Sequence, residues 1–158
     1  MAKTKIIQDY KRFLSDGSWR SFFAVWSLRN FAFGLIAVFS PIYFYANGYG
    51  LGFIFIFLAV QAFFNGLMRM PYAYILSKRR NIKIPFAVSL LLMSLVYAGY
   101  ALFIDDIRVL IFIAAFDGIL QCMLWTSYHY IFSAEQHHKR VGSQIGVMYD
   151  GSYVSVAL

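Results

Sequence analysis

Asp117, Gln121, Leu124 and Tyr128 recur at offsets of 0, 4, 7 and 11 along a strongly apolar stretch, with Trp125 beside them. On a helix those offsets fall within a narrow sector of one face. A carboxylate, an amide and a phenol on one stripe can hold a proton, an organic cation or a hydroxylated solute, with aromatic rings to stack on it. A second stripe repeats the theme: Gln61, Asn65, Met68 and Tyr72, with Arg69 to one side. The same polar groups can instead hydrogen-bond helix to helix and hold a bundle together. The balance favours a hydrated pocket for the Asp117 stripe and interhelical bonding for the Gln61 stripe.

Other chemistries fit less well. His129, His137 and His138 are the three histidines. The last two are adjacent, and neighbouring residues do not share a helical face. No cysteine or paired carboxylate accompanies them, only Glu135, so neither a metal site nor a cofactor is expected. No nucleophile–base constellation and no phosphate-cradling glycine loop occurs, which argues against an enzyme. Cys122, the single cysteine, sits inside an apolar stretch and has no intrachain partner for a disulfide.

The elements that carry these residues are set by the solvent the chain requires. It is 61% hydrophobic, 20% aromatic and only 13% charged, with a mean hydropathy of +0.63; ordinary soluble domains are about 25% charged. Apolar stretches at residues 21–46, 51–77, 84–104 and 109–132 each exceed the ~20 residues needed to cross a bilayer. A fifth, 141–158, is barely long enough and carries Asp150. The expected fold class is therefore all-α: a polytopic helical membrane protein with four complete transmembrane helices and a partial fifth. Residues 1–20 form a separate N-terminal segment. Within it Ile6, Ile7, Tyr10, Phe13 and Leu14 repeat at helical spacing among charges, as in a helix lying in the membrane interface.

Charge sorting orients the spans. Of fourteen Lys and Arg, five precede the first span, four lie between the second and third (Lys78, Arg79, Arg80, Lys83), and Lys139 and Arg140 follow the fourth. Only Arg108 lies on the opposite set of connections. Cytoplasmic loops retain Lys and Arg, so the N-terminus is expected inside. The basic pI of about 9.6 then reflects topology and contact with the lipid bilayer, with no nucleic-acid partner. Four charges break the rule: Arg29, Arg69, Asp117 and Asp150. At the rise of a helix the two arginines and Asp150 lie at a common depth of roughly 12–14 Å from the basic side, so Asp150 can pair with either arginine. Asp117 lies roughly 12 Å from the opposite face.

In layout the chain resembles the N-terminal half of a major facilitator superfamily transporter. Pro41, Gly48 and Gly50 are similar to the proline and glycines around that family's first outer turn. Leu76, Arg79 and Lys83 match its basic loop motif between helices two and three, with Lys78 where the motif has an aspartate. Lys139, Arg140, Gly142 and Gly146 resemble its usual approach to helix five. The resemblance implies a secondary transporter in the cell membrane, working on a small-molecule substrate by alternating access, with proton coupling as an option. It further implies that Arg29, Asn30 and Phe33 on span one join Asp117, Gln121, Trp125 and Tyr128 on span four around the substrate. Leu76, Arg79 and Lys83 would serve gating, and missing C-terminal helices of the same chain would complete the fold. The alternative from another class is a small multi-span scaffold or assembly subunit without transport activity.

Overall fold

The computed structural model describes residues 17–79 and 81–135. Every regular element among them is an α-helix: α1 (Gly17–Ala46), α2 (Leu51–Ser77), α3 (Lys83–Leu102) and α4 (Ile107–Glu135). All four are long and apolar enough to cross a membrane, and the chain is an integral membrane protein of the all-α class. The interfacial helix before residue 17, the fifth span at 141–158 with Asp150, and His137 and His138 lie outside the described residues.

Helix ends differ from the sequence expectation by small amounts with identifiable causes. α1 already covers Gly17, ahead of the residue 21 expected for the span, since a helix need not stop where the hydrocarbon does. α4 begins at Ile107 rather than near residue 109. There Asp106 Oδ1 accepts the N–H of Arg108 at 2.9 Å and of Val109 at 3.4 Å, satisfying donors that a helix start leaves open. α3 closes at Leu102 rather than at 104, with Phe103 N–H on the Gly99 carbonyl. Pro85 sits in the first turn of α3, where its missing N–H costs little.

The chain divides into two compact units between Ile42 and Tyr43. The described part of one is α1 up to Ile42. The other, Tyr43–Glu135, opens on a tightly specified turn. Tyr49 N–H bonds to the Phe44 carbonyl at 3.1 Å and Gly48 N–H to the Tyr45 carbonyl at 3.1 Å, around Gly48 at φ +86°. This is a Schellman cap, and its left-handed position is the one that glycine fills without strain. The accompanying ring contact of Phe44 with Tyr49, 6.2 Å between centroids, extends into a box with Phe53, Phe57 and Tyr100. The Tyr49 hydroxyl donates to the Ile104 carbonyl and so ties the α1–α2 turn to the α3–α4 turn.

Within this unit α4 is the central helix. Its span is 39% buried, against 28% for α3 and 11% for α2. Leu110, Ala114, Leu120 and Leu124 form its enclosed face. The outward surfaces carry large apolar side chains such as Met70, 86% exposed, and Phe112, 73% exposed. In water that surface would be untenable; facing lipid it is the expected solvent contact.

Candidate functional site

α4 brings its acid to a point where three helices meet. Asp117 is 1% exposed. Its Oδ2 accepts a hydrogen bond from Gln61 Nε2 on α2 at 2.5 Å and another from the Tyr100 hydroxyl on α3 at 2.8 Å. Such a group needs compensation, because an isolated carboxylate in a low-dielectric interior is strongly disfavoured. Here two donors from different spans converge on one oxygen.

Close approach of α2 and α4 makes this possible. A Cβ placed on Gly118 would fall on the Gln61 carbonyl oxygen and lie 3.1 Å from the Asn65 backbone nitrogen. The residue after the acid must therefore lack a side chain for the two backbones to cross here. Farther along, the Tyr72 and Ser127 hydroxyls share a hydrogen bond of 3.0 Å, and Ser127 is fully buried. The pairs Gln61–Asp117 and Tyr72–Ser127 advance together along both helices, so α2 and α4 run parallel, as alternate spans must.

The remaining residues of the expected site fall into two groups. On α4, Gln121 is half-buried, and Trp125 stacks on His129 with centroids 5.8 Å apart and planes at 25°. Tyr128 meets Trp125 edge-on at 6.0 Å. On α1, in the other unit, Arg29 Nη1 donates to Asn30 Oδ1 at 2.9 Å. The Arg29 guanidinium carbon lies 4.5 Å from the centroid of the Phe33 ring and 5.4 Å from that of Trp26. Arg29, Asn30 and Phe33 thus form one local cluster, a charge sheltered by aromatic faces in an apolar helix. Arg69 is exposed on α2 and its Nε donates to Asn65 Oδ1, one turn away, at 3.2 Å.

At the other end of the unit, Leu76 is buried, while Arg79 and Lys83 are exposed around the α2–α3 connection. Lys78 Nζ donates to the Tyr74 hydroxyl at 2.6 Å and lies 4.0 Å from that ring's centroid. Asn81 Oδ1 accepts the Lys83 N–H at 3.2 Å, an Asx turn leading into α3.

Sequence reasoning missed two members of the buried cluster, Tyr100 and Ser127. Tyr100 shares its buried face with small Ser89 and apolar Met93 and Val96, and Ser127 lies among apolar neighbours, so neither marks a polar stripe of the Asp117 kind. Gly118 offered a signal: a glycine beside an intramembrane acid. No protein-family model, curated protein or solved structure matches this chain.

Proposed function

We propose that the chain is part of a secondary transporter of the major facilitator type, moving a small solute across the cell membrane by alternating access. Asp117 is the group that takes up a proton or an organic cation. The observation that carries this reading is the buried carboxylate itself, enclosed among three spans with donors from two of them. An intramembrane charge costs at least ~2.5–3.5 kcal/mol on insertion scales, and residues kept at that cost commonly mark a proton or substrate path. Charge sorting supports a cytoplasmic N-terminus and puts the 78–83 connection on the same side. By resemblance, Arg29, Asn30, Phe33, Gln121, Trp125 and Tyr128 contact the substrate, and Leu76, Arg79 and Lys83 act in gating. Further helices of the same chain complete the cavity.

The test uses the whole coding frame reconstituted in vesicles that contain a pH-sensitive dye, offered a panel of organic cations. Solute-driven proton movement that disappears in Asp117→Asn is the expected result. Wild-type rate and pH dependence in that variant would remove Asp117 from the mechanism. A frame continuing past Leu158 for roughly seven more spans is expected, from two six-helix halves; a stop codon at that point would sink the transporter reading.

The scaffold reading has one specific observation in its favour. Gln61 and Tyr100 both donate to Asp117, and the Tyr72 and Ser127 hydroxyls bond each other, which is how interhelical polar contacts hold a bundle. It requires that Asp117→Asn change assembly or stability and leave no transport to lose.

A further inference from the structure

A cleft of about 450 Å³ opens where α2, α3 and α4 meet the α2–α3 connection. Its size lies in the range of small-molecule sites, roughly 300–1,000 Å³. Ile75 and Leu76 of α2, Ile84, Pro85 and Val88 of α3, and Met123 of α4 give it apolar walls. Arg79 and Asn81 line it at the connection. We infer that this cleft binds an anionic phospholipid, with an acyl chain in the apolar trough and the phosphate between the Arg79 guanidinium and the Asn81 amide.

Three observations select that occupant. First, the trough is open to the surroundings through exposed apolar residues: Ile75 is 51%, Ile84 60% and Val88 42% exposed. These belong to spans whose surroundings are hydrocarbon, so an apolar chain fits there and a water-soluble anion does not. Second, the polar end is built to donate. Asn81 Oδ1 is engaged by the Lys83 N–H, which leaves the Nδ2 donors for a ligand. Arg79 supplies a planar fork suited to phosphate, and Lys78 and Lys83 add positive charge to the same connection. Third, no Asp or Glu occurs between Asp16 and Asp105. Neither α2, the connection nor α3 therefore offers a carboxylate to a choline or ethanolamine ammonium. α4 reaches the cleft at Met123, twelve residues before the acid at its end, Glu135, and the cations of the connection outnumber that acid, which favours a net negative headgroup. Phosphatidylglycerol meets all three conditions. The inference stands independently of the transport reading, because it needs only the membrane fold.

Native mass spectrometry of the detergent-purified protein, with phosphatidylglycerol and phosphatidylcholine of identical acyl chains in competition, tests it directly. Roughly fivefold enrichment of phosphatidylglycerol is expected, the factor one basic side chain supplies near an anionic surface. Arg79→Gln should bring the ratio close to one. Arg79→Lys should keep most of it, and Arg108→Gln, at the opposite connection, should leave it unchanged. Val88→Trp fills the trough and should lower retention of both lipids. Helical circular dichroism and a single species on size exclusion verify that each variant is folded. Equal retention of the two lipids by the wild type overturns the proposal, as does an Arg79→Gln ratio equal to the wild type's. Displacement of the lipid by millimolar inorganic phosphate would also overturn it, since the site would then be one for a free anion.

Discussion

α4 receives its two neighbours on different terms. Against α2 it presents Asp117, Gly118 and Ser127, and the contact runs through hydrogen bonds and a backbone crossing with no room for a methyl group. Against α3 the contact is mostly apolar. Phe86, Met93 and Val96 are buried, the buried Ser89 hydroxyl returns to its own helix at the Phe86 carbonyl, and Tyr100 reaches across to bond Asp117. In lipid there is little hydrophobic force to bring helices together, so close packing and polar contacts select the pairing. An apolar seam tolerates sliding by a turn. The α2 seam does not, because displacement would separate both hydrogen-bonded pairs and drive side chains into the Gly118 gap. Register is therefore specified on the α2 side, and the α3 side follows it.

The sharpest way to break this distinction is to add one methyl group at Gly118. In Gly118→Ala the new Cβ meets backbone, the Gln61 carbonyl, with no flexible side chain to move aside. The expected loss is about 3 kcal/mol, the upper end for overpacking, read as a lowered midpoint in detergent-induced unfolding. A midpoint equal to the wild type's would mean that the crossing is looser than described and that Gly118 does not set it.

Removing the acid tests the polar half of the same seam. Asp117→Ala leaves Gln61 Nε2 and the Tyr100 hydroxyl in a buried site without their shared acceptor. A cost of about 2 kcal/mol is expected, since unsatisfied buried donors lose ~1–3 kcal/mol. Asp117→Asn keeps an acceptor oxygen and should recover at least half of that loss. If Ala and Asn behave alike, the hydrogen bonds contribute nothing measurable to the fold.

Much of this arrangement was legible in the residues and some was not. The spans were readable because length and apolarity leave a chain few options in a bilayer; α2 occupies 51–77 as the pattern indicates. The Asp117 stripe was readable from helical spacing. What spacing cannot give is the partner across the gap. Which helix Asp117 faces depends on how neighbouring spans lean on α4, and Tyr100 sits in the uncharged 84–104 stretch, where small Ser89 is too weak a companion to mark a polar face. Helix ends were blurred for a similar reason: Asp106 caps α4 through a local bond that hydropathy does not register.

A smaller effect is expected at the second polar pair. Tyr72→Phe removes the hydroxyl shared with Ser127 and keeps the ring. Interhelical hydrogen bonds in membranes average ~0.6 kcal/mol, so a loss of that order is expected, well below that at Gly118. A double-mutant cycle with Ser127→Ala isolates the pair; a coupling near zero would confine register control to the Gly118 crossing.

The smallest effect, and the one that sharpens the comparison most, comes from repeating the alanine substitution on the α3 side. A Cβ on Gly99 would lie 3.3 Å from Ile113 Cδ1, the far end of a side chain that can rotate or shift by a few tenths of an ångström. Helix propensity favours alanine over glycine by roughly 0.5–1 kcal/mol, opposing that minor repacking. Gly99→Ala should therefore leave the unfolding midpoint unchanged or raise it slightly, while the same chemical change at Gly118 lowers it sharply. The two variants differ in one respect that matters: backbone stands opposite one glycine and a mobile methyl opposite the other. Equal destabilisation at both positions would mean that α4 packs as tightly against α3 as against α2, and the assignment of register to the α2 seam would fail.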